Sequence, residues 1–286
     1  MIKIGKSGIL AGLALASVAM ASQDGLLLRR VLAEGATDTY QVETIAKQTL
    51  NLPNGIGEQE MGMTMLATYQ VKTGKVNPEK KAADVELIYS IDKMDVEGIL
   101  AGMGEKPETG KPVTVNGTLD ERGRVQVAAP KGANPAIAEM ISGASSMGGN
   151  MLSIELPEKP VKIGEAWDVI VPKSPFTGPA DQKLIARLVG EKDVDGKPGY
   201  VISTEGTINV NADLSKMAEE APGPMKGQKM TMKGTIDVRS DGVVEKETGR
   251  TLRLTTKMKM KQTMELPDMG FTIDMDGTTT TVTKLK

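Results

Sequence analysis

The sequence predicts a mainly β protein built on a large, curved antiparallel sheet that forms either a half-barrel or a sandwich. Residues 251–266 alternate apolar and polar side chains, and residues 61–71 repeat the pattern. Alternation with a period of two gives a β-strand one apolar face and one polar face, whereas a helix would scatter the lysines around its circumference. Only one or two short segments are typical of helices. The apolar face must therefore close on itself or wrap a cavity.

Residues 1–21 are typical of a secretory signal peptide. Lys3 and Lys6 form a basic start, residues 9–20 are apolar, and Ala19-Met20-Ala21 supplies the small-residue cleavage pattern. The apolar run falls short of the roughly 20 residues that a membrane-spanning helix needs. We therefore expect an exported protein, periplasmic or extracellular, with no membrane span after cleavage.

Residues 22–132 form the first β-rich half. Ile45 is out of phase with its neighbours, and the phase also shifts at Asp92-Lys93, so a bulge is expected at each point. The alternation and the turn signals predict strands at 26–32, 39–52, 61–71 and 85–91, followed by a hairpin of 112–120 with 124–128.

Residues 133–150 are predicted to be a helical connector, and residues 151–286 form the second β-rich half. Asn134 can cap a helix over 134–147, and Pro135 suits its first position. A second, weaker helix is predicted at 212–221, where Pro222 would end it. The strands of this half are predicted at 183–189, 200–210, 228–239, 251–266 and 269–275.

The two halves contain similar pieces of sequence. Residues 113–120 and 230–237 share the pattern T-x-x-G-T-x-D, and a glycine turn follows each of them, at Gly123 and Gly242. This indicates an internal duplication of a β-rich unit. The alternative is coincidence between two β sequences of low diversity.

The stretch PEKPVKIGEAW at 157–167, the segment 35–40 and the T-x-x-G-T-x-D pieces resemble an uncharacterised family of exported bacterial proteins. That family is known only as a domain of unknown function, so the resemblance supplies no catalytic residues. The overall plan also resembles the periplasmic lipoprotein-carrier folds. That likeness implies a curved sheet around an apolar cavity with helices as a lid.

Composition excludes several function classes. The 286 residues include no Cys and no His, which removes Ser-His-Asp and Cys-His catalysis and ordinary zinc sites. A formal net charge of -2 argues against a nucleic-acid binder. No carboxylate pair is singled out for hydrolase chemistry, and the few aromatic residues argue against a sugar-binding cleft. We expect a non-catalytic protein without a cofactor.

Methionine is the most informative residue type, with 19 in the chain against 2% aromatic residues. Flexible thioether side chains suit either an irregular filled core or the lining of an adaptable apolar site. A site for lipid or another apolar molecule, with the 134–147 helix as its lid, would be lined by Met61, Met63, Met65, Met140, Met230, Met232, Met258, Met260 and Met264. The alternative is a structural or protein-interaction module of the cell envelope with a filled core.

Three further patterns have ordinary explanations that are favoured over functional ones. Paired methionines could bind Cu(I), but copper sites usually recruit His or Cys as well. Asp193-Val194-Asp195-Gly196 and Asp274-Met275-Asp276-Gly277 resemble fragments of calcium loops, yet Asp-Gly is common in β-turns. A row of lysines could bind phospholipid headgroups or polyanions, although such rows are usually solvated faces. Its members are Lys257, Lys259 and Lys261, with Lys229 and Lys233 nearby.

Overall fold

A computed structural model describes residues 25–53, 55, 57–98, 109–127, 152–174, 176–215 and 227–286. Within these ranges the chain forms eleven strands and one short 3-10 helix, Pro267–Met269, before the last strand. The strands are β1 (Thr37–Leu52), β2 (Gly57–Asn77), β3 (Ala82–Gly98), β4 (Val113–Asp120), β5 (Val125–Val127), β6 (Ala166–Val171), β7 (Gln182–Val194), β8 (Lys197–Asp213), β9 (Thr231–Glu245), β10 (Thr251–Leu266) and β11 (Phe271–Leu285).

All eleven strands belong to one antiparallel sheet, in the order β5-β4-β3-β2-β1-β11-β10-β9-β8-β7-β6. The first five strands run from the centre of the sheet to one edge, and the last six run from the other edge back to the centre. The first and last strands therefore meet in the middle, where β1 pairs with β11. In the described residues the edge strands β5 and β6 do not pair with each other, so the sheet is open. The predicted fold class is confirmed.

The alternation of each strand sorts its side chains onto one apolar and one polar face. Residues directly opposite each other in an antiparallel pair lie on the same face. The apolar face carries two buried clusters. The larger covers β6 to β10 and includes Leu184, Ile208 and Ile236. The smaller covers β1 to β4 and includes Tyr40 and Leu87.

Several sequence predictions need correction. Residues 26–32 do not form a strand: only Leu26 makes a β-bridge, with Val161. Successive amides of this segment bond to different turns, namely Arg30 to the Glu121 carbonyl and Val31 to the Thr248 carbonyl. In the part of the chain that the structure describes, no single strand runs alongside this segment to pair with it. We call residues 25–33 the N-terminal strap.

Of the two predicted bulges, one is present and one is not. The register of β2 on β3 shifts between Leu66 and Ala67 and leaves Asp92 as the extra residue, as predicted. In β1 the register runs without a break, and Ile45 lies on the polar face with 41% of its surface exposed. An exposed apolar side chain requires no special backbone geometry.

The predicted helices have different outcomes. The 134–147 helix, with Met140, lies outside the described residues, as do the signal peptide and most of the 212–221 segment. Ala212 is in β8 rather than in a helix, because it pairs with Met232 and is buried. The strands of the second half are also longer than predicted, so Val243 lies inside β9 and the residues after Gly277 continue β11. The division into two related halves stays a prediction.

Candidate functional site

The cross-strand register brings most of the predicted methionines onto one sheet face. Met63 lies opposite Ala46, Ala46 opposite Thr279, and Thr279 opposite Met258. One step along the strands, the corresponding row is Met61, Gln48, Gly277 and Met260. Both rows have a methionine of β2 at one end and a methionine of β10 at the other.

Three of the four residues between these methionines are smaller than methionine, and the fourth, Gln48, has a side chain that ends in a polar amide. The floor is formed by Ala46 and Gln48 of β1 and by Gly277 and Thr279 of β11. Three inter-strand steps of about 4.8 Å separate β2 from β10 by about 14 Å. The result is a methionine trough, with its floor on β1 and β11 and its walls on β2 and β10.

The trough is bounded along the strands as well. In the row beyond Gln48, the larger pair Leu50 and Met275 raises the floor. In the other direction, the row of Thr44 and Thr281 still has Met65 on β2, but β10 presents Thr256 there, so the rows with a methionine at both ends stop at this point. Leu50 lies six positions after Thr44, so the two bounding rows are about 20 Å apart along the strand, and the two methionine rows between them are about 7 Å apart.

Burial distinguishes the trough from the packed clusters at its sides. Met61 and Met63 of one wall, and Met258 and Met260 of the other, are only half-buried. Side chains of the flanking clusters, such as Tyr40 and Leu188, are almost completely buried. The middle of the apolar face is therefore less filled than its flanks.

A cavity of about 670 Å³ lies at the level of the second methionine row, and residues of the polar face form most of its lining. All four members of that row, Met61, Gln48, Gly277 and Met260, line it. A Cβ built on Gly277 would lie 3.1 Å from the Met260 methyl carbon, so this wall methionine leans over the floor. Of the other ten lining residues, Gly98 lies on the apolar face and the remaining nine lie on the polar face: Lys47, Thr49, Glu60, Gly62, Glu97, Lys259, Lys261, Asp276 and Thr278.

The other predicted lining residues lie apart from the trough. Met65 lies at the Thr44 row, on the same face. Met264 lies opposite Ile273 and Met232, near the far end of β10. Met230 and Met232 are buried in the larger cluster. The floor residues were not predicted, since their importance depends on β1 pairing with β11, and no local pattern indicates that pairing.

One end of the apolar face is closed by the strap and a buried ion cluster. Arg30 reaches from the strap to the Asp38 carboxylate and to the Tyr40 hydroxyl. Asp38 also accepts a hydrogen bond of 3.2 Å from Arg250, and Arg250 contacts Glu245 at 2.8 Å. Both Arg30 and Asp38 are almost fully buried, with side chains 5% and 6% exposed. Two arginines thus balance two carboxylates.

The cluster shifts the acidity of two of its members. Burial raises the pKa of Tyr40 above its ordinary value, although the charge of Arg30 opposes this. For Glu245, burial opposes ionisation, but hydrogen bonds from Thr248 and Arg250 outweigh it, so its pKa is lowered. Glu245 is therefore held as a carboxylate beside Arg250.

The polar face does not present an uninterrupted basic row. Lys259 lies opposite Asp237, and Lys261 lies opposite Asp276. Lys233 pairs with Glu265 at 3.3 Å. Lys257, in contrast, lies opposite Arg239 and Thr280, so carboxylates lie beside only some of these lysines.

The two calcium-like fragments differ in the structure. The Asp193 carboxylate accepts a hydrogen bond of 2.8 Å from the Gly196 amide, in the turn between β7 and β8, as expected for a turn. Asp276 and Gly277, in contrast, lie within β11, so the turn interpretation is wrong for the second fragment. Across the described ranges, no three acidic side chains are grouped so that they could hold a metal ion.

No family model matches the chain, and no match is found among curated proteins. Among solved structures, the chain is similar to part of lipovitellin, in a study of its lipid–protein interactions. The identity is 8%, the TM-score is 0.46, and the match covers 90% of this chain and 25% of that chain. This chain therefore spans about a quarter of the length of lipovitellin.

Two bacterial structures are also similar. A DUF1329 family protein from Desulfovibrio piger matches at 11% identity over 88% of this chain and 85% of its own, with a TM-score of 0.14. A domain described as an outer membrane lipoprotein-sorting protein, from Vibrio parahaemolyticus, matches at 8% identity over 86% and 83%, with a TM-score of 0.15. Both kinds of protein that the sequence resembles thus occur among the similar structures. At these scores they add nothing about function. Among the described residues, no helix has the length and apolar character to cross a membrane.

Proposed function

We propose that this protein is an exported, non-catalytic binding protein that holds an apolar ligand, such as a lipid chain, in the methionine trough. The observation that carries this proposal is the half-buried row in which Met61 and Met260 face each other across Gln48 and Gly277. A filled core would bury these side chains as completely as those of the flanking clusters. An acyl chain laid along the floor would complete their burial.

The dimensions of the trough suit one chain of lipid size. The rows that bound it lie about 20 Å apart, which exceeds the roughly 15 Å that one leaflet contributes to the hydrocarbon core of a bilayer. Methionine walls favour adaptable binding because three rotatable bonds allow each side chain to follow the shape of the ligand.

Binding of the neutral fluorescent dye N-phenyl-1-naphthylamine tests this proposal. Ala46→Phe places a ring on the trough floor and should weaken dye binding at least about tenfold, which corresponds to about 1.4 kcal/mol. Ile45→Phe is the matched control, because the neighbouring side chain points to the polar face. It should leave the affinity unchanged.

Native mass spectrometry of the gently purified protein provides a second measurement. A co-purifying mass of lipid size that Ala46→Phe abolishes would support the proposal. A clean protein mass together with no dye binding would instead favour the alternative, a structural or interaction module with a filled core. Equal dye binding by Ala46→Phe and Ile45→Phe would place the ligand elsewhere.

A further inference from the structure

A row of hydroxyl side chains crosses the apolar face at one end of the methionine trough. Successive cross-strand partners are Thr44 of β1, Thr281 of β11, Thr256 of β10, Ser240 of β9 and Thr204 of β8. Five adjacent strands therefore each place a hydroxyl on a face that is otherwise largely apolar. Valine has nearly the shape of threonine and would avoid the cost of burying a polar group.

Four of these hydroxyls form two side-chain pairs. Thr44 Oγ1 lies 3.3 Å from Thr281 Oγ1, and Ser240 Oγ lies 2.9 Å from Thr256 Oγ1. Each pair contains two hydroxyl protons, and the bond between its members uses one of them. The second proton can be donated to an acceptor outside the pair.

The two pairs differ in accessibility. Thr44 and Thr281 are buried, with 6% and 3% of their surfaces exposed. Ser240 and Thr256 are only half-buried. Thr256 occupies the β10 position that continues the wall of Met258 and Met260, so an acceptor at the end of a chain in the trough would come next to this pair.

The charge of the row limits the kind of acceptor. Every described side chain of the row is uncharged, from Met94 on β3 to Trp167 on β6. A carboxylate placed here would lose its hydration without gaining a cationic partner, which is costly. A neutral carbonyl oxygen needs only a hydroxyl donor.

We propose that Thr256 and Ser240 bind the ester carbonyl of a neutral acyl lipid whose chain lies in the methionine trough. This inference rests on the function proposed above and adds the class and direction of the ligand. The carbonyl is at the hydroxyl row and the acyl chain extends towards Leu50 and Met275. The buried pair of Thr44 and Thr281 lies beside it and completes the polar end of the trough.

Displacement of N-phenyl-1-naphthylamine by three competitors of similar chain length tests this assignment: methyl laurate, laurate and tridecane. The wild-type protein should prefer methyl laurate to both others, by about five- to tenfold over tridecane for one hydrogen bond. The double variant Ser240→Ala with Thr256→Val should lose this preference and keep its affinity for tridecane. Ser203→Ala with Thr255→Val is the matched control, because both side chains lie on the polar face, and it should behave as wild type.

The outcomes separate the two proposals. If the wild-type protein does not bind the dye or any competitor, the trough itself is not a binding site and both proposals fail. If Ala46→Phe blocks binding but methyl laurate has no advantage over tridecane, only the ester assignment is overturned. A preference for laurate over its ester would also overturn it. If the hydroxyl variant and its matched control keep the same ester preference, the row is purely structural.

Discussion

Replacing Asp38 by Asn tests whether the buried ion cluster holds the strap on the sheet. The substitution keeps the shape of the side chain and removes the negative charge between Arg30 and Arg250. Breaking a buried ion pair by removing one partner typically costs about 3–5 kcal/mol, because the other charge stays buried. The amide oxygen still accepts one hydrogen bond, and Arg250 is partly exposed to solvent, so we expect the lower end, about 3 kcal/mol.

Urea unfolding, followed by the fluorescence of the single tryptophan, measures this loss. Trp167 is half-buried, and its indole NH donates to the Glu155 carbonyl at 3.2 Å, so unfolding should change its emission. A loss of about 3 kcal/mol also corresponds to a decrease in melting temperature of roughly 6–12 °C for a domain of this size. Dye binding by the folded variant should survive, because the cluster lies outside the trough.

An exposed ion pair supplies the control. Asp168 contacts Lys183 at 2.6 Å, with both side chains more than half exposed. Asp168→Asn should cost less than about 1 kcal/mol. If Asp38→Asn costs no more than this control, water reaches the cluster and the role assigned to it is wrong.

Three further predictions concern stability. Thr44→Val should lower the free energy of urea unfolding by about 1–3 kcal/mol, because it leaves the buried Thr281 hydroxyl without its partner. The double variant with Thr281→Val should recover most of this loss. Equal losses in the single and double variants would show that the pair is not isolated. Glu245 has a lowered pKa in the folded state, so its contribution to the free energy of unfolding should be complete above about pH 4.3 and should disappear as the pH falls through the folded pKa. Glu245→Gln should therefore make stability depend less steeply on pH on the acid side. An unchanged dependence on pH would contradict this. Gly249→Ala should destabilise the protein more than Gly35→Ala. Both glycines have positive φ, but only at Gly249 would the new Cβ meet the strap, 2.2 Å from the Arg29 carbonyl oxygen. Equal melting temperatures of the two variants would show that the strap moves freely.

Much of the sheet could be predicted from the sequence, because side-chain alternation is a local property of an extended chain. The alternation along β2 and β10 located both strands, and the phase shift at Asp92 located a bulge. Alternation predicts the wrong local structure where tertiary contacts determine how the backbone is paired. The strap looked like a strand, but its amides bond to separate turns. Ile45 looked like a sign of a bulge, but it is an exposed apolar side chain in a regular strand.

The sequence by itself determined that the methionines lie on apolar strand faces, and that chemistry based on His or Cys is excluded. Only the tertiary structure decided which strands are neighbours. The pairing of β1 with β11 joins residues more than 200 positions apart, for example Gln48 with Gly277. Such a pairing depends on the register of the whole sheet, and no short window of sequence contains it. The trough floor and the row of hydroxyls arise from that pairing, because each combines residues that are unremarkable along their own strands.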